Sequence, residues 1–220
     1  MRHTQLQVIY EDNHLIAINK PAGMLVQGDE TGDTPLSDLV KDYIKEKYNK
    51  PGKVYLGVLH RIDRPVSGIV LFARNSKTAE RMSKKFAERD IQKTYLAIVE
   101  GHPEKSEATL IHYLVKNPNT NKVKYFRRPH EGALLAELDY KVVKEKGRFS
   151  LLEVHPHTGR PHQIRVQLSA IDCPIAGDVK YGASDGMDNR RIQLHSYRLA
   201  FEHPSTKEPV SIEAAAPFTL

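Results

Sequence analysis

AELDYKVV, residues 136–143, is the stretch whose reading decides the class of fold. Ala136, Leu138, Tyr140 and Val142 alternate with Glu137, Asp139 and Lys141, and a period of two puts the apolar side chains on one face of a β-strand and the charged ones on the other. Such a strand has one dry face and one wet. The pattern extends outward from there. Phe149–Val154 follows as a further strand, and Lys122–Phe126, Thr109–Leu114 and Thr94–Glu100 come before it. Downstream, a turn at His157-Thr158-Gly159 leads into a helix expected from Pro161, which presents Ile164, Leu168 and Ile171 together; strands at Leu194–Phe201 and Val210–Ala214 complete the chain.

Upstream, VIYEDNHLIAINKPAGMLV (8–26) holds two short apolar runs split by Glu11-Asp12-Asn13 and ended by Pro21-Ala22-Gly23, the mark of a hairpin. From Thr34, with Pro35 expected at the first helical position, Leu36, Leu39, Val40, Tyr43, Ile44 and Tyr48 recur at helical spacing until Pro51-Gly52. GIVLFA (68–73) is a short buried strand, and Ala79, Met82 and Phe86 mark one face of a helix running to about Arg89. Strands in runs, a few interposed helices and no regular βαβ alternation predict an α+β fold with a mainly antiparallel sheet. No internal repeat, low-complexity tract or linker divides the chain, whose length fits one domain or two small ones.

The chain of 220 residues is long enough to bury a core without disulfides or a structural metal. Cys173 is the single cysteine, which excludes an internal bridge and a cysteine-built zinc site; beside Pro174 it is expected to be a buried small apolar residue rather than a reactive thiol. No run approaches the roughly 20 consecutive apolar residues of a membrane span. The start, MRHTQLQVIYEDNHL, lacks the apolar block of a signal peptide, so a cytoplasmic location and no membrane partner are expected. Lys and Arg outnumber Asp and Glu by 33 to 27, a formal net charge of +6 with pI near 9.2, which suits a polyanionic partner without demanding one.

Four segments carry candidate chemistry. HRIDRPVSG (60–68) sets Asp63 between Arg61 and Arg64 in a loop stiffened by Pro65; flanking cations keep a carboxylate ionised and able to act as a nucleophile, though a loop salt bridge uses the same residues. HTGRPHQIR (157–165) gathers Arg160, His162 and Arg165 at an expected helix N-terminus, a place that suits an anion. Arginine there is not favoured by the helix dipole, which points to a separate partner for Arg165. KTYLAIVEG (93–101) puts Tyr95 at the start of an apolar strand, with a flat face for stacking and a hydroxyl for proton transfer. KVKYFRRPH (122–130) mixes Lys122, Lys124, Arg127 and Arg128 with Tyr125 and Phe126, a composition suited to phosphates and splayed bases, and equally to a charged edge strand that resists aggregation. His155 and His157 form an H-x-H without the carboxylate cluster a metal site needs, and His195 and His203 are read as core or turn-capping residues.

In this order, VIYEDNHLIAINKPAG (8–23), HRIDRPVSGIVLFA (60–73), KTYLAIVEG (93–101), HTGRPHQIRVQL (157–168) and LHSYRLAFEHP (194–204) resemble the motifs of the RluA-type pseudouridine synthases. The resemblance implies one catalytic domain over residues 1–220, with a mixed, mainly antiparallel sheet split by a deep basic central cleft. It also implies roles: Asp63 as the essential aspartate, Arg165 as its ion-pair partner across the cleft, and Tyr95 as the tyrosine that stacks on uracil and accepts a proton. Arg61 would fill the RNA stack that the target nucleotide leaves, and Ile164 would pack on the base. Ile62 and Pro65-Val66 depart from the residues common in the family but touch neither ionic group. Because the motifs begin at Val8, recognition is expected from this domain itself, with Arg160, Lys122, Lys124, Arg127 and Arg128 as RNA contacts.

The implied reaction is isomerisation of a uridine in ribosomal or transfer RNA by a monomer, with no metal, redox cofactor or energy source and no obligatory protein partner. The nucleotide would be flipped from its stack, at a cost of about a few kcal/mol. Two rivals use the same residues: a non-catalytic RNA-binding module, which leaves Asp63 without purpose, and a metal-dependent phosphoesterase built on His60, Asp63, His155 and His157.

Overall fold

A computed structural model describes residues 6–187 and 191–220. Along the chain run β1 (Val8–Glu11), β2 (Leu15–Lys20), α1 (Leu36–Lys47), β3 (Gly57–Val58), β4 (Ser67–Ala73), α2 (Ser76–Ala87) and β5 (Gln92–Glu100). Then come β6 (Glu107–Asn117), β7 (Lys122–Phe126), β8 (Leu134–Lys146), β9 (Phe149–Pro156), α3 (Gln163–Ser169), a 3-10 turn (Val179–Tyr181), β10 (Leu194–Glu202) and β11 (Pro209–Glu213). They form two compact units, Met1–Gln92 with Ser196–Ala215 and Lys93–His195 with Ala216–Leu220. No helix among the described residues is long and apolar enough to cross a membrane.

In the first unit the strand order is β1-β2-β4-β10, with β11 antiparallel to β10 and β3 antiparallel to β4. All seven residues of β4 are buried, as a short apolar run without alternation implies for a central strand. One face of this sheet packs Leu15, Ala17, Ile69 and Leu71 against Met82 of α2 and Leu199, Phe201 and Ile212 of the last two strands. Asn75 caps α2, its side chain accepting the Thr78 N–H at 2.9 Å. In α1 the buried residues are Leu36, Ser37, Val40 and Ile44, and Pro35 stands as the cap rather than as the first helical residue. His203 is buried and hydrogen bonded to Asp12 at 3.0 Å, a core-supporting histidine as its sequence suggests.

The second unit orders its strands β5-β9-β8-β6-β7, and the pairings β5/β9, β9/β8, β8/β6 and β6/β7 are antiparallel. The alternation in β8 has the predicted consequence. Ala136, Leu138 and Tyr140 are buried, opposite His112, Leu110 and Ala108 of β6, while Glu137 and Asp139 lie on the other face opposite Ile111 and Thr109. The period breaks at Val142-Val143 because a bulge shifts the register there, from Val142 opposite Leu152 to Lys144 opposite Leu151; Val143 is left exposed. Leu114, Val123, Ala136, Val166 and Tyr181 form a core beneath α3. Cys173 and His195 are also buried in this unit.

α3 corrects one expectation. It begins at Gln163, two residues after Pro161, because His162 adopts left-handed backbone (φ 52) and breaks the helical path at its cap. The Gln163 side chain ties the preceding turn instead: its Oε1 accepts from Arg160 N–H at 2.9 Å and from the Thr158 hydroxyl at 2.7 Å. Arg160 therefore precedes the helix, and Ile171 follows it.

Candidate active site

In the first unit the segment around Asp63 is a tight turn closed by Val66 N–H donating to the Asp63 carbonyl at 3.0 Å, just ahead of the buried β4. Ile62 is buried and anchors the turn, Asp63 is half-buried, and Arg61 is exposed. Arg64 does not behave as a simple flanking cation. Its Nε donates to the Gly23 carbonyl at 2.9 Å, its guanidinium meets Asp33 at 2.6 Å, and its own carbonyl accepts Gly23 N–H at 2.7 Å. Arg64 thus forms a salt bridge with Asp33, from the segment after the N-terminal hairpin.

Beneath the turn lies Lys20, fully buried, its ammonium donating to the carbonyls of Met24 (2.9 Å), Pro21 (3.1 Å) and Arg64 (3.3 Å). Burial pushes its pKa from 10.5 down to about 7, the negative charge of Asp63 pulls it back up, and Arg64 lowers it further. The loops 21–24 and 63–66 are therefore pinned to one internal cation. His60, named in the phosphoesterase reading, accepts Leu71 N–H at 3.0 Å through Nε2 and stacks on Phe86 with ring centres 5.0 Å apart.

The second unit carries Tyr95, Ile164 and Arg165. Tyr95 is half-buried on β5 opposite Val154, on the strand face shared with the buried Ala97 and Val99. Ile164 and Arg165 are buried in the first turn of α3. Asp178 grips the Arg165 guanidinium with both oxygens, Nε to Oδ2 at 2.6 Å and the second nitrogen to Oδ1 at 2.8 Å, and the guanidinium carbon lies 5.0 Å from the centre of the Tyr181 ring. A fork-to-fork pair of this kind fixes the plane as well as the position of the guanidinium. Arg160 is turned to the sheet, its Nε donating to the Leu135 carbonyl at 2.9 Å.

Lys122, Lys124, Arg127 and Arg128 are exposed on β7 and the loop after it. Phe126 stacks on His130 with ring centres 3.8 Å apart and planes 17° apart. His155 pairs with Glu153 at 2.9 Å and His157 with Asp139 at 2.7 Å, and among the described residues no group of three or more His, Cys, Asp or Glu side chains is placed to hold a metal ion.

Sequence reasoning passed over Lys20, Asp178 and Tyr181. Lys20 sits in an N-K-P-A-G turn, where a lysine reads as exposed. Asp178 and Tyr181 fall in IAGDVKYG (175–182), a stretch without periodicity whose signal is an acid and an aromatic set among glycines at a turn.

With fold and site residues in place, comparison with known proteins defines the class. Residues 14–170 match the model of the RNA pseudouridylate synthase family, an interval that includes Asp63, Tyr95 and Arg165, and the chain belongs to this family, in its RluA-type branch. It is an RNA pseudouridine synthase, an isomerase acting on uridine in RNA. Among its relatives, the tRNA pseudouridine synthase C of Haemophilus influenzae is 34% identical over 95% of this chain and 92% of its own length. The tRNA pseudouridine synthase C of Vibrio cholerae is 33% identical over 95% and 90%. The solved structure of human RNA pseudouridylate synthase domain containing 4 superposes with a TM-score of 0.80 at 25% identity, covering 96% of this chain and 88% of that one. The α+β fold expected from the strand pattern is therefore the fold of this family, and the binding-module and phosphoesterase rivals give way to it.

Proposed function

We propose that this chain converts a uridine of transfer RNA to pseudouridine, with Asp63 as the group that acts on the ribose. The observation that carries the choice of RNA is the set of relatives named tRNA pseudouridine synthase C, matched over nearly the whole of both chains. A ribosomal target is the second reading, favoured by the 32% identity to a ribosomal large subunit pseudouridine synthase C of Vibrio vulnificus. Residues 1–220 serve as one catalytic domain, acting as a monomer in the cytoplasm.

The chemistry is an isomerisation. The bond from ribose to ring nitrogen 1 breaks, the uracil turns, carbon 5 bonds to the ribose, that carbon loses its proton, and nitrogen 1 gains one. Asp63 either attacks the sugar or removes a ribose proton, and a deuterium isotope effect at the ribose hydrogens separates the two routes. Arg165 balances its carboxylate, with its own plane fixed by Asp178. Tyr95 stacks on the base and takes the proton from carbon 5, Ile164 packs on the ring, and Arg61 fills the stack that the nucleotide leaves. Arg160, Lys122, Lys124, Arg127 and Arg128 engage phosphates.

The test is purified protein on transcribed transfer and ribosomal RNA, with pseudouridine mapped at nucleotide resolution. Asp63→Asn is expected to abolish conversion while RNA affinity stays within about tenfold. A variant that turns over at the wild-type rate removes Asp63 from the mechanism.

A further inference from the structure

Tyr181 has no role in the scheme above, yet the basic hairpin and the Arg165 helix both meet on it. It is buried, and its hydroxyl accepts the Val123 N–H at 3.0 Å. Val123 belongs to β7, the last strand in the order of the second unit among the described residues, and its outward N–H bonds this side chain. The phenol oxygen also lies 2.7 Å from His162 Nδ1, a hydrogen bond whose donor is set by the imidazole tautomer. The phenol oxygen thus joins the Val123 amide to the His162 imidazole.

His162 is the left-handed cap of α3, a conformation that residues other than glycine keep only when the surroundings hold them there. Its carbonyl accepts the Val166 N–H at 3.0 Å, so the cap sets the start of the helix that carries Arg165. The ring of the same tyrosine lies 5.0 Å from the Arg165 guanidinium carbon and 6.0 Å from the Lys122 ammonium. Its own N–H donates to the Asp178 carbonyl at 2.9 Å, which puts the clamp on Arg165 and the ring beside it in one turn of chain.

We propose that Tyr181 is a positioning residue that couples the basic hairpin to Arg165, so that phosphates held by Lys122 and its neighbours set the guanidinium for reaction. This rests on the role given to Arg165 above. A displacement of β7 moves the Val123 amide, and the phenol is the shared member of that contact, the left-handed cap and the guanidinium support. RNA seated on the hairpin would thereby favour one arrangement of the helix start over others.

Tyr181→Phe keeps the ring and deletes both hydroxyl bonds. In single-turnover assays with a transfer RNA transcript at saturating protein, its rate constant is expected to fall by between about tenfold and a hundredfold, with RNA dissociation constant within about threefold of wild type. The coupling adds a sharper requirement, which a merely structural tyrosine would not meet. The paired change Lys122→Ala with Lys124→Ala should slow the wild-type rate constant at saturation but slow Tyr181→Phe no further. His162→Gly accepts the left-handed cap and removes the ring nitrogen that meets the phenol, and it should reproduce the loss; it also carries the test if Tyr181→Phe does not fold. Wild-type turnover in both single variants, or hairpin and tyrosine effects that simply multiply, overturns the coupling alone when Arg165→Ala is inactive. Full activity of Arg165→Ala removes the underlying role of Arg165 and the coupling with it.

Discussion

Lys20 illustrates what a single residue decides here. Burial makes charge on this lysine unfavourable even though three carbonyls accept from it, and its pKa, lowered to about 7, records that cost. In the unfolded chain the same ammonium titrates at about 10.4. Between these two values the unfolded state binds the proton that the folded state has shed, so this residue makes stability rise with pH across that window. Below pH 7 both states are protonated and the penalty is present in full. Lys20→Met should abolish this contribution, so that in urea unfolding the wild type gains stability relative to the variant between pH 7 and pH 10. Parallel profiles would show that Lys20 is not desolvated in the native state. The same residue marks the limit of sequence reading at this scale. Asp63, Tyr95 and Arg165 stand out because their motifs come in a recognisable order, whereas a buried lysine looks in sequence like any exposed one, and Asp178 is identified only by the guanidinium it clamps.

At the scale of elements, period and punctuation located nearly every strand and helix, because an alternating or three-to-four spacing is imposed directly by which face is buried. β8 was legible for that reason, and the bulge at Val143 was not, because two adjacent valines state only that the period has failed. Pro161 misplaced the start of α3: proline suits the first helical turn, but Glu137, whose N–H donates to the Thr158 hydroxyl and whose carbonyl accepts from the Gln163 amide, holds the chain in a turn there first. β4 is the element on which the Asp63 turn depends, and Gly68 is its tightest point. Its φ of +112° is outside the reach of most side chains, and a Cβ would come within 2.3 Å of the Ser196 carbonyl oxygen on the adjoining strand. Gly68→Ala should therefore cost more than about 3 kcal/mol in denaturant unfolding, among the largest effects a single methyl can have. A loss below about 1 kcal/mol would mean that β4 and β10 can separate without consequence for the fold.

For the molecule as a whole, the relevant quantity is charge and where it is exposed. A net charge of +6 is modest for 220 residues, and by itself it identified no partner. Family membership supplies the polyanion, and the structure shows Lys122, Lys124, Arg127 and Arg128 all exposed on one strand and the loop that follows it. If these four cations neutralise phosphates, each releases condensed counterions when RNA binds, and the logarithm of affinity falls with the logarithm of salt by about 0.7 to 0.9 for each phosphate contacted. Replacing all four by alanine should then lower the magnitude of the salt slope by about 3, weaken binding most at low salt, and leave the position of the modified uridine unchanged, because backbone contacts orient an RNA without reading its sequence. Binding to a transfer RNA transcript measured from 50 to 200 mM salt checks the slope, and a pseudouridine map checks the site. An unaltered slope would identify the hairpin as the solubilising edge strand that its composition equally allows, and the RNA backbone would then be held by other cations of the chain.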